Sequence, residues 1–351
     1  MKPFKYLSCL CIVLGLLVSL AGCPKTANKA EEPKGMVYFS YFDTVSYVYS
    51  YAEDSQEEFE ENCAKVSEIL GKYHNLFDIY YEHTGVINLR TLNLNAGNEP
   101  LQIDKELMDF LVYAKELCQT TNGEMNIMMG SVLKIWHDCR DAASKAPSEA
   151  RIPTDEELSH AALHVDIDSL ELDTVNLTAR ISDPEASIDV GALGKGYATE
   201  KAAEYLRSIG ADGYVLNIGG NIRIIGHNPD GSGWGTGIKD PSDPERHALK
   251  LELADTSCVT SGDYERTFSV NDTKYHHIID KDTLMPSAHF RSVSIITPDS
   301  GLADALSTAL FCMSREDGLA LVETLENVEV LWITHDGTQY YTDGLSKLIR
   351  A

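Results

Sequence analysis

The chain has 351 residues, 43% of them hydrophobic, which is ample for a large buried core; 54 acidic against 29 basic residues leave a formal net charge of −25. So acidic a protein is a poor partner for nucleic acid or an anionic lipid surface, because their phosphates repel it. Any anionic ligand therefore needs a local solution, such as a metal ion or a helix N-terminus.

In chain order, Lys2 and Lys5 precede an almost unbroken apolar run from Leu7 to Leu20, followed by Leu20-Ala21-Gly22-Cys23. The run is too short to span a membrane and ends in small residues, which is the pattern of a secretory signal peptide. The tetrad resembles the bacterial lipobox, in which the cysteine is lipidated and becomes the first residue; plain secretion with cleavage nearby is the alternative. The expected organisation is a signal peptide over 1–22, a polar lipid-anchored tether over 23–36 and one domain over 37–351, facing the periplasm or the cell exterior. Cys63, Cys118, Cys139, Cys258 and Cys312 show no CxxC or zinc-finger spacing. Disulfides are permitted outside the cytoplasm, but nothing in this spacing demands them.

Val37 to Tyr51 reads as a strand pair, and Gln56 to His74 as a helix with Phe59, Cys63, Val66 and Leu70 on its apolar face. Glu106 to Thr121 is a second amphipathic helix and Gly130 to Trp136 a third. The polar stretch 138–162 reads as a loop leading to a short helix near Thr154. The texture then turns to β: Val165 to Leu172, Val175 to Ile181 and Ser187 to Val190 are expected strands, before a helix over Tyr197 to Ile209. Eight further strands are expected at 213–218, 222–225, 234–239, 248–253, 258–260, 264–270, 276–280 and 293–297. Helices at 303–312 and 317–325 and strands at 328–333 and 339–342 complete the chain. Because strands and helices do not alternate strictly, the fold class is α+β, a single large mixed domain with sub-lobes.

Five segments carry candidate chemistry. Ser187 to Glu200, SIDVGALGKGYATE, combines a strand end, a glycine-rich turn, Lys195 and a helix start, which is how backbone N–H groups and a cation meet a phosphate. Its spacing is neither a Walker A loop nor G-x-G-x-x-G, so a packing turn explains it too. Asp304 and Thr308 stand at i and i+4 in an apolar helix, offering a carboxylate and a hydroxyl to a hard cation, or a helix-end charge and a back-bonded hydroxyl. Thr260-Ser261-Gly262 is a small-polar strand end suited to a phosphate, a ribose or a plain turn. His276 and His277 lie on an apolar segment; strand alternation would put His277 with Ile279 and His276 with Ile278 and Asp280. No third zinc ligand stands at familiar spacing from them. Tyr80 and Tyr81 offer rings for stacking.

Eight motifs in this order resemble the ApbE family of FAD:protein FMN transferases: Phe42-Asp43-Thr44, TNGEMNI at 121–127, IDVGALGKGYA at 188–198, LNIGGNI at 216–222, GIKDP at 237–241, VTSGDYER at 259–266, HIID at 277–280 and ADALSTALF at 303–311. The resemblance implies an enzyme that binds FAD and Mg²⁺, transfers FMN to a threonine of an exported redox protein and releases AMP. A metal-dependent FAD pyrophosphatase and a non-catalytic FAD-binding lipoprotein are the alternatives. It further implies that Asp304, Thr308 and a main-chain oxygen at Ala192 hold the metal, with Ser307 in the same group. Phe42, Tyr80, Glu124, Met125, Asn126, Asp189, Lys195, Thr260, Ser261, Gly262 and Ile278 would contact FAD, and His277 would be the base, with Asp280 orienting the site. Two positions depart from the family pattern. Asn126 stands where Asp is usual, and Asp280-Lys281-Asp282-Thr283-Leu284 replaces D-P-x-T-G.

Overall fold

Half-buried alternation makes Lys34–Tyr41 (β1) and Thr44–Ser50 (β2) an antiparallel hairpin. The computed structural model that shows this describes residues 33–228 and 230–350; the expected signal peptide, Cys23 and most of the tether lie outside them. A capping box between Ser55 and Glu58 starts Gln56–Phe77 (α1), whose stripe from Phe59 to Leu76 faces the core. Leu89–Leu94 (α2), Leu101–Gln102 (β3) and Lys105–Thr120 (α3) follow, then Gly130–Lys145 (α4) and Asp155–Ala161 (α5), capped by Thr154. Leu170–Asp173 (β4) and Thr178–Ile181 (β5) join β3 in a small sheet ordered β3-β5-β4.

Gly194–Ser208 (α6) leads into Tyr214–Ile218 (β6), Asn221–Ile225 (β7), Trp234–Asp240 (β8), Asp243–Leu253 (β9) and Ser257–Gly262 (β10). Phe268–Val270 (β11) and Thr273–Tyr275 (β12) form a small hairpin before Ser292–Thr297 (β13). Ser300–Cys312 (α7), Arg315–Val322 (α8), Glu329–Ile333 (β14), Gln339–Tyr341 (β15) and Asp343–Ser346 (α9) end the fold. The main sheet has eight strands in the order β1-β2-β6-β7-β10-β13-β14-β15, all paired antiparallel. One face is covered by α1, α6 and α7, whose apolar sides bury Leu70, Ala202, Leu206, Ala305 and Leu310. On the other face the β8–β9 hairpin and α9 bury Ile238, Leu251 and Leu345 against Ile224, Ile296 and Leu331. This is the expected α+β class, and the residues from Pro33 onward pack as one compact unit.

A buried ionic cluster fixes α6 against α7. Glu200 accepts from Arg223 Nε at 3.1 Å, from the Ser300 backbone N–H at 3.0 Å and from Arg207 at 2.5 Å, so the desolvated carboxylate is fully paired. All five cysteines among the described residues are free and buried.

Several elements differ from the sequence expectation. The third helix runs on to Lys145, because Cys139 and Ala143 continue the buried side begun by Val132 and Trp136 within a mostly polar stretch. The short α2 arises from an Asn88 cap that accepts the Thr91 N–H. Residues 187–190 form no strand, only an isolated bridge between Met129 and Ser187. Residues 276–280 are likewise not a strand: His276 Nδ1 accepts the Ile278 N–H, and Asp280 Oδ1 accepts those of Asp282 and Thr283. The first of these bonds takes an N–H that a ladder would have used, and the others turn the chain after the segment.

Candidate active site

A cavity of about 360 Å³ opens where five stretches distant in sequence converge. The first is the β1–β2 turn. Pairing of Tyr41 with Thr44 leaves Phe42 and Asp43 as a two-residue loop with φ of +55° and +51°, a conformation costly for side chains other than glycine or asparagine. Phe42 is held there by its N–H, donated to His74 Nδ1 at 3.3 Å, and by its ring, which meets that imidazole edge-on. Beyond α1, Asp78 Oδ1 accepts the N–H groups of Tyr80 and Tyr81 at 2.7 and 2.9 Å, which turns the chain and brings both rings to the cavity.

The second wall is the turn after α3. Buried Thr121 donates to Leu117 O at 2.8 Å and accepts the Met125 N–H at 3.1 Å. Glu124, Met125 and Asn126 then line the cavity. Both ends of the Asn126 amide are engaged by backbone: Nδ2 donates to Val165 O at 2.8 Å and Oδ1 accepts the Met128 N–H at 2.9 Å. Asn126 therefore shapes the wall, whatever else touches it. Burial raises the Glu124 carboxyl pKa, opposed by Lys281 at 3.3 Å.

The third and fourth walls meet at the start of α6 and the middle of α7. Asp189 is buried; its Oδ1 accepts the Gly191 N–H at 2.8 Å, and its Oδ2 stands 3.8 Å from His137 Nδ1. Gly196 is the third residue of α6, so its N–H has no partner within the helix. Here it goes to Asp304 Oδ2 at 2.8 Å, and among the described residues no donor reaches the Ala192 oxygen. Lys195 Nζ lies 3.6 Å from the same Asp304 oxygen and donates to Gly191 O at 3.4 Å. Only glycine fits at 196, since a Cβ would stand 2.3 Å from Ser300 O and 2.5 Å from Asp304 Cβ. Ala192, Lys195 and Thr308 line the cavity, with Asp304 one helical turn before Thr308. A carboxylate, a hydroxyl and a main-chain carbonyl are the hard oxygen donors that Mg²⁺ takes, so the chemistry of this donor set fits that ion.

Ser307 does not belong to that set. It is fully buried, donates to Asp304 O at 2.9 Å and is hydrogen-bonded to Ser261 at 2.8 Å. Thr260 pairs with Ser294 at 2.7 Å, and Gly262 packs against the Tyr264 ring. None of Thr260, Ser261 or Gly262 lines the cavity, because β10 lies behind α7 as a central strand of the sheet.

His277 supplies the fifth wall with Ile278 and Ile279 beside it. All three reach the same space because the segment is a turn, which cancels the alternation expected of a strand. His277 Nδ1 lies 3.2 Å from Glu265 O, so Nδ1 carries the proton and donates, leaving Nε2 with a free lone pair. Burial pushes its pKa down to about 3, reinforced by the positive Arg266, His276 and Lys195. Asp280 has another task. Its Oδ1 accepts the N–H groups of Asp282 and Thr283 at 2.9 and 2.7 Å and the Thr283 hydroxyl at 3.1 Å, and it does not line the cavity. It orders the 281–284 turn, while the Glu265 carbonyl orients the imidazole. Leu284 adopts φ of +59°, so the turn keeps the left-handed residue that the family's glycine would favour.

His137 and Arg266 also line the cavity and were not expected from sequence. Met129, Leu133 and His137 recur at i, i+4 and i+8 on one face of α4, a periodicity that was available in the sequence once the helix was known to continue. His137 stands 3.4 Å from the Tyr80 hydroxyl, and burial lowers its pKa against the pull of Asp189. Arg266, at φ of +46°, has no such signal.

Fold and site together define a mixed α+β protein with one cavity that His277, Asp189, Lys195, Ala192 and Thr308 line. The model of the ApbE family matches residues 42–332, and the chain belongs to that family, as its motifs implied. It is 27% identical over 340 residues to a FAD:protein FMN transferase of Vibrio cholerae serotype O1, covering 96% of this chain and 97% of the relative. The crystal structure of the ApbE protein from Thermotoga maritima superposes with a TM-score of 0.80 at 25% identity, covering 91% of this chain and all of that one. The flavin transferase ApbE from Vibrio cholerae does so with a TM-score of 0.74 at 26% identity, over 90% of this chain and all of that one.

Proposed function

We propose that this protein is a Mg²⁺-dependent FAD:protein FMN transferase that moves FMN from FAD to a threonine hydroxyl of an exported redox protein and releases AMP. The observation that carries this reading is one cavity lined by His277, Ala192 and Thr308, with the buried Asp304 one helical turn before Thr308. Bound Mg²⁺ would neutralise pyrophosphate charge, the main requirement of phosphoryl transfer. The residues of the chain do the rest. Lys195 and the N-terminus of α6 present positive charge to the pyrophosphate. Phe42, Tyr80 and Met125 offer apolar and aromatic surface to the flavin or adenine rings. His277 Nε2 accepts the proton as the threonine oxygen bonds to the FMN phosphorus, the phosphoanhydride breaks and AMP leaves.

Incubation of the purified chain with FAD, Mg²⁺ and an exported flavin-accepting domain tests this. A fluorescent flavin band that survives a denaturing gel is the expected result. FMN and AMP without labelled protein would identify a pyrophosphatase instead, and unchanged FAD under every divalent ion would leave a binding protein. The L-A-G-C motif supports a lipid anchor at Cys23. Cys23→Ser is then expected to move the protein from the membrane to the soluble fraction, and an unchanged distribution would remove the anchor.

A further inference from the structure

Outside the active site, His160, His164 and Glu185 gather so that one ligand atom from each lies within 4.8 Å of the others. Glu185 stands astride the two histidines, Oε2 at 3.9 Å from His160 Nε2 and Oε1 at 3.7 Å from His164 Nε2. Bonds of ~2.0 Å to a tetrahedral zinc ion imply ligand–ligand edges of about 3.3 Å, so side-chain movements of up to about 1.5 Å close the set. His164 is already oriented: its Nδ1 bonds Asp183 Oδ2 at 2.7 Å, which directs Nε2 toward Glu185. A carboxylate behind a histidine in this way fixes the tautomer and raises the basicity of the coordinating nitrogen. His160 lies in the last turn of α5 and His164 ends the 3-10 turn that follows it, whereas Asp183 and Glu185 come from the loop after β5.

We propose that His160, His164 and Glu185 form a zinc site with Asp183 as its outer partner and a water in the fourth position. Two imidazoles and a carboxylate suit Zn²⁺ rather than Mg²⁺ or Ca²⁺, which prefer oxygen. The site joins two segments that back the cavity. Val165 O, next to His164, holds the Asn126 amide, and the loop carrying Glu185 runs into Ser187 and Asp189. Zinc would thus stiffen that wall without touching the reacting atoms.

The test is a Zn²⁺ titration of the chelator-stripped full chain by calorimetry, in millimolar Mg²⁺ to occupy the oxygen site. One zinc per chain and a higher melting temperature in zinc are expected. His160→Ala, at an exposed position and with its fold checked by circular dichroism, should weaken binding at least tenfold. Asp183→Asn should weaken it 10- to 100-fold while keeping all three ligands. Asp304→Asn should leave zinc affinity unchanged. Absence of zinc binding at micromolar concentration, or a zinc that survives His160→Ala and is lost with Asp304→Asn, would overturn the proposal.

Discussion

Asp304 Oδ2 accepts the backbone N–H of Gly196 at 2.8 Å across 108 positions of sequence. One contact thereby docks α7 on α6 and satisfies an N–H at the start of α6 that has no partner within the helix. The carboxylate proposed to hold Mg²⁺ is thus also a structural cap.

Asp304→Ala and Asp304→Asn should therefore separate. Both remove a charged metal ligand and should abolish Mg²⁺-dependent turnover of FAD. Alanine also leaves the buried Gly196 N–H without a partner, at a cost of about 1–3 kcal/mol, whereas asparagine keeps an oxygen there. Denaturant unfolding of the two variants measures the difference, and equal stabilities would show that the Gly196 contact contributes nothing.

Gly196→Ala should destabilise the protein and impair activity together. The added methyl meets Ser300 O, a backbone atom at a helix start already tied to Glu200, so the neighbour has little room to move. A loss of 1–3 kcal/mol or more is expected from such overpacking, read as a lower melting temperature. A variant with wild-type stability and activity would show that α6 and α7 slide freely.

His277 should stay neutral throughout the physiological range. Its pKa of about 3 means that no activity limb near pH 6.5 belongs to it, and the flavin-transfer rate should not fall between pH 7.5 and 5.5 on its account. His277→Asn should lower transfer by roughly 10²- to 10⁴-fold while FAD still binds. The stability sign follows from the same shift. Between about pH 6.5 and 3 the unfolded chain takes up a proton that the folded site refuses, so stability falls as pH drops through this window. His277→Asn should flatten that slope in urea unfolding series at stepped pH; an unchanged slope would contradict the depressed pKa.

Asp280→Asn should retain most activity, because an amide oxygen can still accept the N–H groups of Asp282 and Thr283. Asp280→Ala should cost about 1–2 kcal/mol and loosen the turn. A loss of activity in Asp280→Asn equal to that of His277→Asn would return Asp280 to the reaction itself.

Much of this protein was legible before any coordinates. The heptad-like stripe of α1, the α3 pattern and the β-rich second half follow from local periodicity, which any chain burying one face must display. The motifs around Asp189, Lys195, His277 and Asp304 identified the family because each must keep particular residues at particular spacing. What periodicity did not predict were segments ruled by side-chain-to-backbone bonds, namely residues 187–190 and 276–280, where Asn93 and His276 capture the Ile188 and Ile278 N–H groups that a strand would have used.

The tertiary structure alone decided which functional-looking groups face one another. Ser307, Thr260 and Ser261 have the same chemistry as Thr308, yet Ser307 and Ser261 bond each other between α7 and β10 and Thr260 is exposed beside Ser294, while Thr308 lines the cavity. His137, Arg266 and the His160–His164–Glu185 group gain meaning only from neighbours far away in sequence. The reason is physical: a residue's type and spacing determine the element it joins and the chemistry it can offer. Its pKa, its free lone pairs and its partners depend on what long-range packing buries beside it.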